Sequence, residues 1–111
     1  MKKIEAIFRP EKLREVIEEL KEINVTSFTV TQVQGRGHEK ISTGVYRGRS
    51  FTINLHPKVK MEIILSDFKA EKAIQTIIKA AHTGEAGDGK IFVSSILEMH
   101  SIRTGEIQDL D

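Results

Sequence analysis

The sequence predicts an α+β domain of ferredoxin-like type, a β-α-β-β-α-β sandwich with both helices on one sheet face. Three observations carry that expectation. Two segments alternate apolar and polar residues in the manner of half-buried strands, and each is followed by an amphipathic helix and a further strand. The second of these units repeats the first when the numbering is shifted by 57. The length, 111 residues, corresponds to one domain, 1–111, large enough to bury a core.

The first strand is read over 2–8, where Ile4, Ala6 and Phe8 share one face and Lys3, Glu5 and Ile7 the other. Arg9-Pro10 stops it, and a proline suits the start of a helix because its missing N–H would be unpaired there. From Glu11 to Ile23 the apolar positions Leu13, Val16, Ile17 and Leu20 form one helical stripe. Asn24 supplies the stop, and 25–34, rich in Val, Thr and Phe, reads as the second strand. Residues 57–65 repeat the first strand, with Met61, Ile63 and Leu65 inward and Glu62 and Ile64 opposed. Ser66 or Asp67 is expected to cap the next helix through a side-chain oxygen. That helix carries Ala70, Ala73, Ile74, Ile77, Ile78 and Ala81 as a buried stripe, and Lys90–Ser95 forms the last strand after a turn at 84–89. The shift places Leu13 on Ala70, Val16 on Ala73, Lys3 on Lys60 and Glu5 on Glu62.

Composition narrows the function. Cysteine is absent, which excludes a disulfide scaffold, a thiol nucleophile and a Cys-based zinc site. Apolar runs extend over only a few residues, so neither a membrane span nor a signal-peptide core is expected, and a cytoplasmic location follows by default. The formal charge of +1 offers no whole-protein field for nucleic acid.

Two features break the internal repeat. The segment from about Arg36 to His56 is far longer than a hairpin connection, and loops of that length in compact domains usually carry function. It is basic, with Arg36, Lys40, Arg47 and Arg49 and then Lys58 and Lys60 set against Glu39. The sheet face without helices is the other feature; its Ile7 and Ile64 favour assembly with further copies.

Residues 84–90 read Gly-Glu-Ala-Gly-Asp-Gly-Lys. The string satisfies the opening of a Walker A loop, but residue 91 is Ile where Ser or Thr is required, and the order is helix-to-strand instead of strand-to-helix. Two readings stand side by side: a tight turn with glycines at positive φ, or a backbone nest for phosphate oxygens with Lys90 as countercharge. Gly35-Arg36-Gly37 is a second candidate nest, and Arg103 a second cation.

Taken together, MKKIEAIFRPEKL at 1–13, TVTQVQGRG at 29–37, YRG at 46–48, PKVKMEI at 57–63, TGEAGDGKIFV at 83–93 and IRTGE at 102–106 resemble the P-II nitrogen-regulatory signalling family. The matches run in order over essentially the whole chain. The resemblance implies a homotrimer with nucleotide sites in the clefts between subunits, holding ATP or ADP. It implies that 36–56 is the T-loop, the partner-binding arm, that about 82–90 is the B-loop, and that about 100–111 is a C-terminal segment whose Arg103 reaches the next subunit. The implied nucleotide-binding positions are Ile7, Thr29, Gly35, Arg36, Gly37, His38, Glu62, Ile64, Gly87, Asp88, Gly89, Lys90 and Arg103. Tyr46, Arg47, Arg49 and Phe51 fall in the partner-binding arm, which is expected to dock on a membrane transporter or a metabolic enzyme, with membrane association only through such a transporter.

The chain departs from the family pattern where regulation is concentrated. Glu39 stands at the position of a glutamine that helps hold magnesium (Mg) and 2-oxoglutarate beside ATP. A glutamate can still ligate magnesium. It also sets a negative charge beside a triphosphate and a dicarboxylate; like charges ~4 Å apart repel by about 4 kcal/mol at an effective dielectric of about 20, before magnesium reduces it. Loss of 2-oxoglutarate sensing is the expectation, although Lys58 retains a carboxylate-binding position. His38 and Ser101 each replace a phosphate-binding arginine, for which Arg36 could compensate. Phe51 lacks the hydroxyl that is uridylylated or adenylylated in many relatives, and Arg49 replaces a serine phosphorylated in others, so covalent control is not expected.

The leading expectation is therefore a non-catalytic adenine-nucleotide sensor. An ordinary P-II regulator binding ATP, Mg and 2-oxoglutarate is one alternative, and a slow ATP hydrolase using Lys90 with Glu39 or Glu62 is another. Nucleic-acid binding is disfavoured, because Phe8, Phe28, Tyr46, Phe51, Phe68 and Phe92 lack the strand pattern that base stacking needs. The scattered His38, His56, His82 and His100 show no zinc-ligand spacing.

Overall fold

The computed structural model describes residues 1–37 and 55–110, together with the backbone of the two strands at 42–46 and 49–53. Strand β1 (Lys2–Phe8) leads through a short 3-10 turn (Pro10–Lys12) into α1 (Leu13–Glu22) and β2 (Thr29–Gly35). A hairpin of β3 (Ser42–Tyr46) and β4 (Arg49–Ile53) precedes β5 (His56–Leu65), α2 (Asp67–Ala81) and β6 (Gly89–Ser95). Two short strands, β7 (Met99–His100) and β8 (Ile107–Gln108), end the chain. The main sheet is antiparallel in the order β2-β5-β1-β6, which is the expected ferredoxin-like arrangement.

Alternation along the two central strands decides which face is core. Glu5 pairs with Glu62 and Ala6 with Met61, so Ile4, Ala6, Phe8, Val59, Met61, Ile63 and Leu65 all point to the helices and are buried. Val16 and Leu20 of α1 and Ala70, Ala73, Ile77, Ala80 and Ala81 of α2 close over them. Each large apolar side chain removed from water here contributes about 1.5–3 kcal/mol. The alanines of α2 lack bulk, which lets that helix lie close against both α1 and the sheet.

Five local expectations differ from the structure. The helix from Glu11 starts as a 3-10 turn and becomes α-helical only at Leu13. The second strand begins at Thr29 instead of 25: the Val25 N–H donates to the Leu20 carbonyl at 2.9 Å, and its side chain drops into the core, only 3% exposed. Neither Ser66 nor Asp67 makes a side-chain cap on α2; the Ser66 carbonyl receives the Lys69 and Ala70 N–H groups, while the Asp67 carboxylate pairs with the N-terminal ammonium at 3.2 Å. Ile78 faces outward, 47% exposed, because Ile74 and Ile77 already fill the contact with the sheet. The long 36–56 segment also has regular structure of its own, the β3–β4 hairpin, with Gly44 opposite Phe51 and Tyr46 opposite Arg49.

Candidate functional site

The end of β1, the end of β2, the start of β5 and the turn at 82–88 converge at one end of the sheet. Between them lies an open cleft of about 740 Å³ lined by Ile7, Gly35, Arg36, Gly37, Lys58 and the turn from Glu85 to Lys90, with Phe92 at its side. Nine of the residues singled out from the sequence therefore share one cleft: Ile7, Gly35, Arg36, Gly37, Lys58, Gly87, Asp88, Gly89 and Lys90.

The turn owes its shape to glycine and to one carboxylate. Gly84, Gly87 and Gly89 have φ of 93°, 102° and 109°, the left-handed region that side chains avoid. Gly89 is fixed by space as well, since a Cβ there would lie 1.8 Å from the Ile7 carbonyl oxygen. Gly35 and Gly37 are not among the described glycines at positive φ; Gly35 is simply the last residue of β2, so the second candidate nest lacks the geometry of the first.

Asp88 turns inward on its own loop. Its carboxylate accepts the Thr83 hydroxyl, the Thr83 and Gly84 N–H groups, each at 2.9 Å, and Arg9 Nε at 3.2 Å. These donors, the Thr83 hydroxyl foremost, hold its pKa well below the ordinary carboxylate range. Arg9 Nη2 donates to the Ala86 carbonyl at 2.8 Å, and Lys58 Nζ, nearly buried, donates to the Gly87 carbonyl at 2.5 Å. Asp88, expected at the nucleotide, is thus occupied with building the turn.

Arg9 and Thr83 had no place among the residues predicted for the site. Arg9 read as part of a strand stop, and nothing local in the sequence connects it to a residue 79 positions away. Thr83 carried a signal that could have been used: a threonine five residues before an aspartate across a glycine turn is the pattern of a side-chain-closed loop.

Other predicted residues stand apart from the cleft. Thr29, Glu62 and Ile64 lie on the open face or edge of the sheet, and Arg103 is exposed in the turn between β7 and β8. Glu62 pairs with Lys3 at 3.0 Å and Lys60 at 3.7 Å, and Lys60 reaches Glu5 at 3.8 Å. The hydrogen bond and charge of Lys3 lower the Glu62 pKa, and Glu62 raises that of Lys3 in return. The shift by 57 exchanges Lys3 with Lys60 and Glu5 with Glu62, so this quartet follows the pseudo-symmetry of the two halves. His38, Glu39 and Arg47 lie outside the described residues, as do the side chains of Tyr46, Arg49 and Phe51.

The chain is thus a two-layer α+β sandwich with a glycine turn and a cation-lined cleft at one end of its sheet. The comparisons assign it to a family. The model of the family "Nitrogen regulatory protein P-II" matches residues 1–106, and the chain belongs to that family. It is 50% identical over 106 residues to the nitrogen regulatory protein P-II of Azospirillum brasilense, covering 96% of this chain and 95% of that one. The P-II protein of Rhizobium meliloti (strain 1021) is 51% identical over the same shares of the two chains. Nitrogen regulatory protein P-II 2 of Methanothermobacter thermautotrophicus is 49% identical, over 96% of this chain and 92% of its own. These relatives carry the names of regulatory proteins, and no helix among the described residues is long and apolar enough to cross a membrane.

Proposed function

We propose that the chain is a non-catalytic adenine-nucleotide sensor, acting as a homotrimer, that reports energy state to a transporter or metabolic enzyme through its 36–56 arm. The observation that carries this reading is the cleft itself: Lys58, Lys90 and Arg36 line one recess with the N–H-rich glycine turn. Cations beside the backbone of a glycine turn suit phosphate oxygens. Its volume, about 740 Å³, lies within the range of small-ligand sites. ATP and ADP are the ligands, with Mg as companion ion through Glu39.

The trimer is supported by what the cleft leaves out. Thr29, Glu62, Ile64 and Arg103 sit away from it on the same chain, as expected if they complete the site of a neighbour. Half-buried Ile7 and Ile64 on a helix-free face, and Leu97 and Ile102 at 94% and 103% exposure, supply apolar surface for such contacts. Light scattering at micromolar concentration should give three chain masses, and a monomer would contradict the shared site.

Loss of 2-oxoglutarate sensing is part of the proposal. The charge of Glu39 opposes a dicarboxylate, and the Lys58 ammonium already donates to the Gly87 carbonyl. Calorimetric titration with ATP, ADP and AMP, each with and without 2-oxoglutarate, tests the whole reading. ATP and ADP should bind with no enhancement by 2-oxoglutarate, and Glu39→Gln should gain a response. Lys90→Ala should weaken ATP by about 1.5–3 kcal/mol, the worth of one charge-assisted hydrogen bond. Tight, magnesium-dependent 2-oxoglutarate binding by the unmodified protein would restore the ordinary P-II reading, and sustained phosphate release abolished by Lys90→Ala would make it a hydrolase.

A further inference from the structure

We propose that Arg9 is a positioning residue for the cleft: from the end of β1 it fixes the direction in which the 82–90 turn presents its N–H groups, without itself touching the ligand. The inference rests on the reading of the cleft as a nucleotide site. Its basis is the planarity of the peptide unit. In a trans peptide the N–H points opposite to the carbonyl, and the described chain has no cis bonds. Whatever holds a carbonyl therefore aims the following amide. Arg9 Nη2 holds the Ala86 carbonyl at 2.8 Å and so sets the Gly87 N–H; Lys58 Nζ holds the Gly87 carbonyl at 2.5 Å and so sets the Asp88 N–H.

Arg9 acts a second time through Asp88. Its Nε donates to Asp88 Oδ1 at 3.2 Å, and the same carboxylate gathers the Thr83 hydroxyl and the Thr83 and Gly84 amides. One guanidinium thus fastens both the main chain and the organising carboxylate of the turn to β1. A glycine-rich turn needs such an external restraint, because glycine gives the backbone freedom that its own contacts do not remove. Arg9 is absent from the residues lining the cleft, so it works through the loop. A planar fork is required for two acceptors at once, and an ammonium cannot reproduce it.

Arg9→Met removes both bonds and keeps the apolar stem; Arg9→Lys keeps the charge and loses the fork. ATP affinity is measured by calorimetry at low and at high salt, and amide exchange at Thr83 and Gly84 is followed by NMR. Arg9→Met should lower ATP affinity by about tenfold or more, the usual scale for residues that orient a binding group. Arg9→Lys should fall between it and the wild type. The loss should persist at high salt, where a purely electrostatic contribution of an exposed charge is screened. Exchange at Thr83 and Gly84 should accelerate in step with the loss. Combining Arg9→Met with Asp88→Asn should weaken binding little beyond the stronger single change, because both act on one loop.

Wild-type affinity in Arg9→Met, or a loss that vanishes at high salt, overturns the positioning role. So does a loss of affinity with unchanged exchange, which would put Arg9 on the ligand itself. Should Arg9→Met fail to fold, Arg9→Lys decides, and equality with the wild type overturns the proposal. A wild type that binds no nucleotide overturns the parent reading, and it is distinguishable from a wild type that binds while both variants bind equally well.

Discussion

The two halves of the molecule use their helix-to-strand connections for opposite purposes. In the first, residues 23–28 join α1 to β2 and close the core: Asn24 turns the chain at φ 62°, Val25 is 3% exposed, and Phe28 packs against the same cluster. In the second, residues 82–88 join α2 to β6 and leave the core, carrying Gly87 and Asp88 to the wall of a cleft. The first connection is held by apolar burial, one left-handed asparagine and the main-chain bonds of Asn24 and Val25 to the end of α1. The second is held by hydrogen bonds to a single carboxylate and by cations borrowed from β1 and β5. A repeated scaffold can thus keep one copy of a turn for stability and release the other to line a cleft, because the core needs only one of them as a plug.

The largest expected effect lies where the binding turn meets the scaffold. Gly89→Ala would drive a Cβ into the Ile7 carbonyl at 1.8 Å and demand φ near 109° of an alanine. Neither backbone can yield without breaking the β1–β6 ladder, in which Phe8 pairs with Gly89. A loss of about 4 kcal/mol or more, or failure to fold, is expected in denaturant titration. If Gly89→Ala folds with wild-type stability, the close approach of the two strands is wrong.

The next change separates the two connections by function. Val25→Ala removes buried methyl groups from the plug and should cost about 2 kcal/mol of stability. ATP affinity, measured well below the melting transition, should not change. The complementary change, Gly84→Ala, meets only the edge of the His82 ring at 3.9 Å, so its cost is the left-handed backbone alone, about 1–2 kcal/mol. Its affinity for ATP should nevertheless fall, because the Gly84 N–H belongs to the set that Asp88 organises. Equal effects of Val25→Ala and Gly84→Ala on affinity would erase the distinction between a plug and a binding turn.

The same contrast marks how much could be read in advance. The core followed from periodicity: the apolar faces of β1, α1, β5 and most of α2 are those their spacing demands, whereas the Lys3–Glu62 and Lys60–Glu5 pairs, which the shift by 57 interchanges, emerge only from the strand register. The cleft was legible chiefly through the glycines and Lys90, whose types are tied to local geometry. Arg9 and the Gly87 carbonyl contact of Lys58 were not, because each joins segments remote in sequence and nothing in a single chain marks the register that brings them together. Val25 was misread for a related reason. A valine in a run of strand formers looks like a strand residue until the helix end claims its N–H.

The smallest expected effect comes from pH, and it falls on only one of the two connections. Asp88 has a pKa depressed below its unfolded value, chiefly by the Thr83 hydroxyl and then by backbone N–H groups, with Arg9 contributing. A depressed carboxylate stabilises the folded form above its unfolded pKa, and that contribution disappears as pH falls through the folded value. The turn should therefore be indifferent to pH from neutrality down to the ordinary carboxylate range and loosen only in stronger acid. His82 Nδ1 lies 3.8 Å from the same carboxylate. Since Asp88 is about one quarter exposed, water screens part of the effect, and global stability should respond weakly. The measurement is amide exchange at Thr83 and Gly84 corrected for its intrinsic pH dependence, with Val25 as internal control. Asp88→Asn should show raised exchange already at neutral pH and no further acid response at those two amides. If Val25 and Gly84 loosen together as the pH falls, the two connections belong to one cooperative unit, and the division of labour between them does not extend to their dynamics.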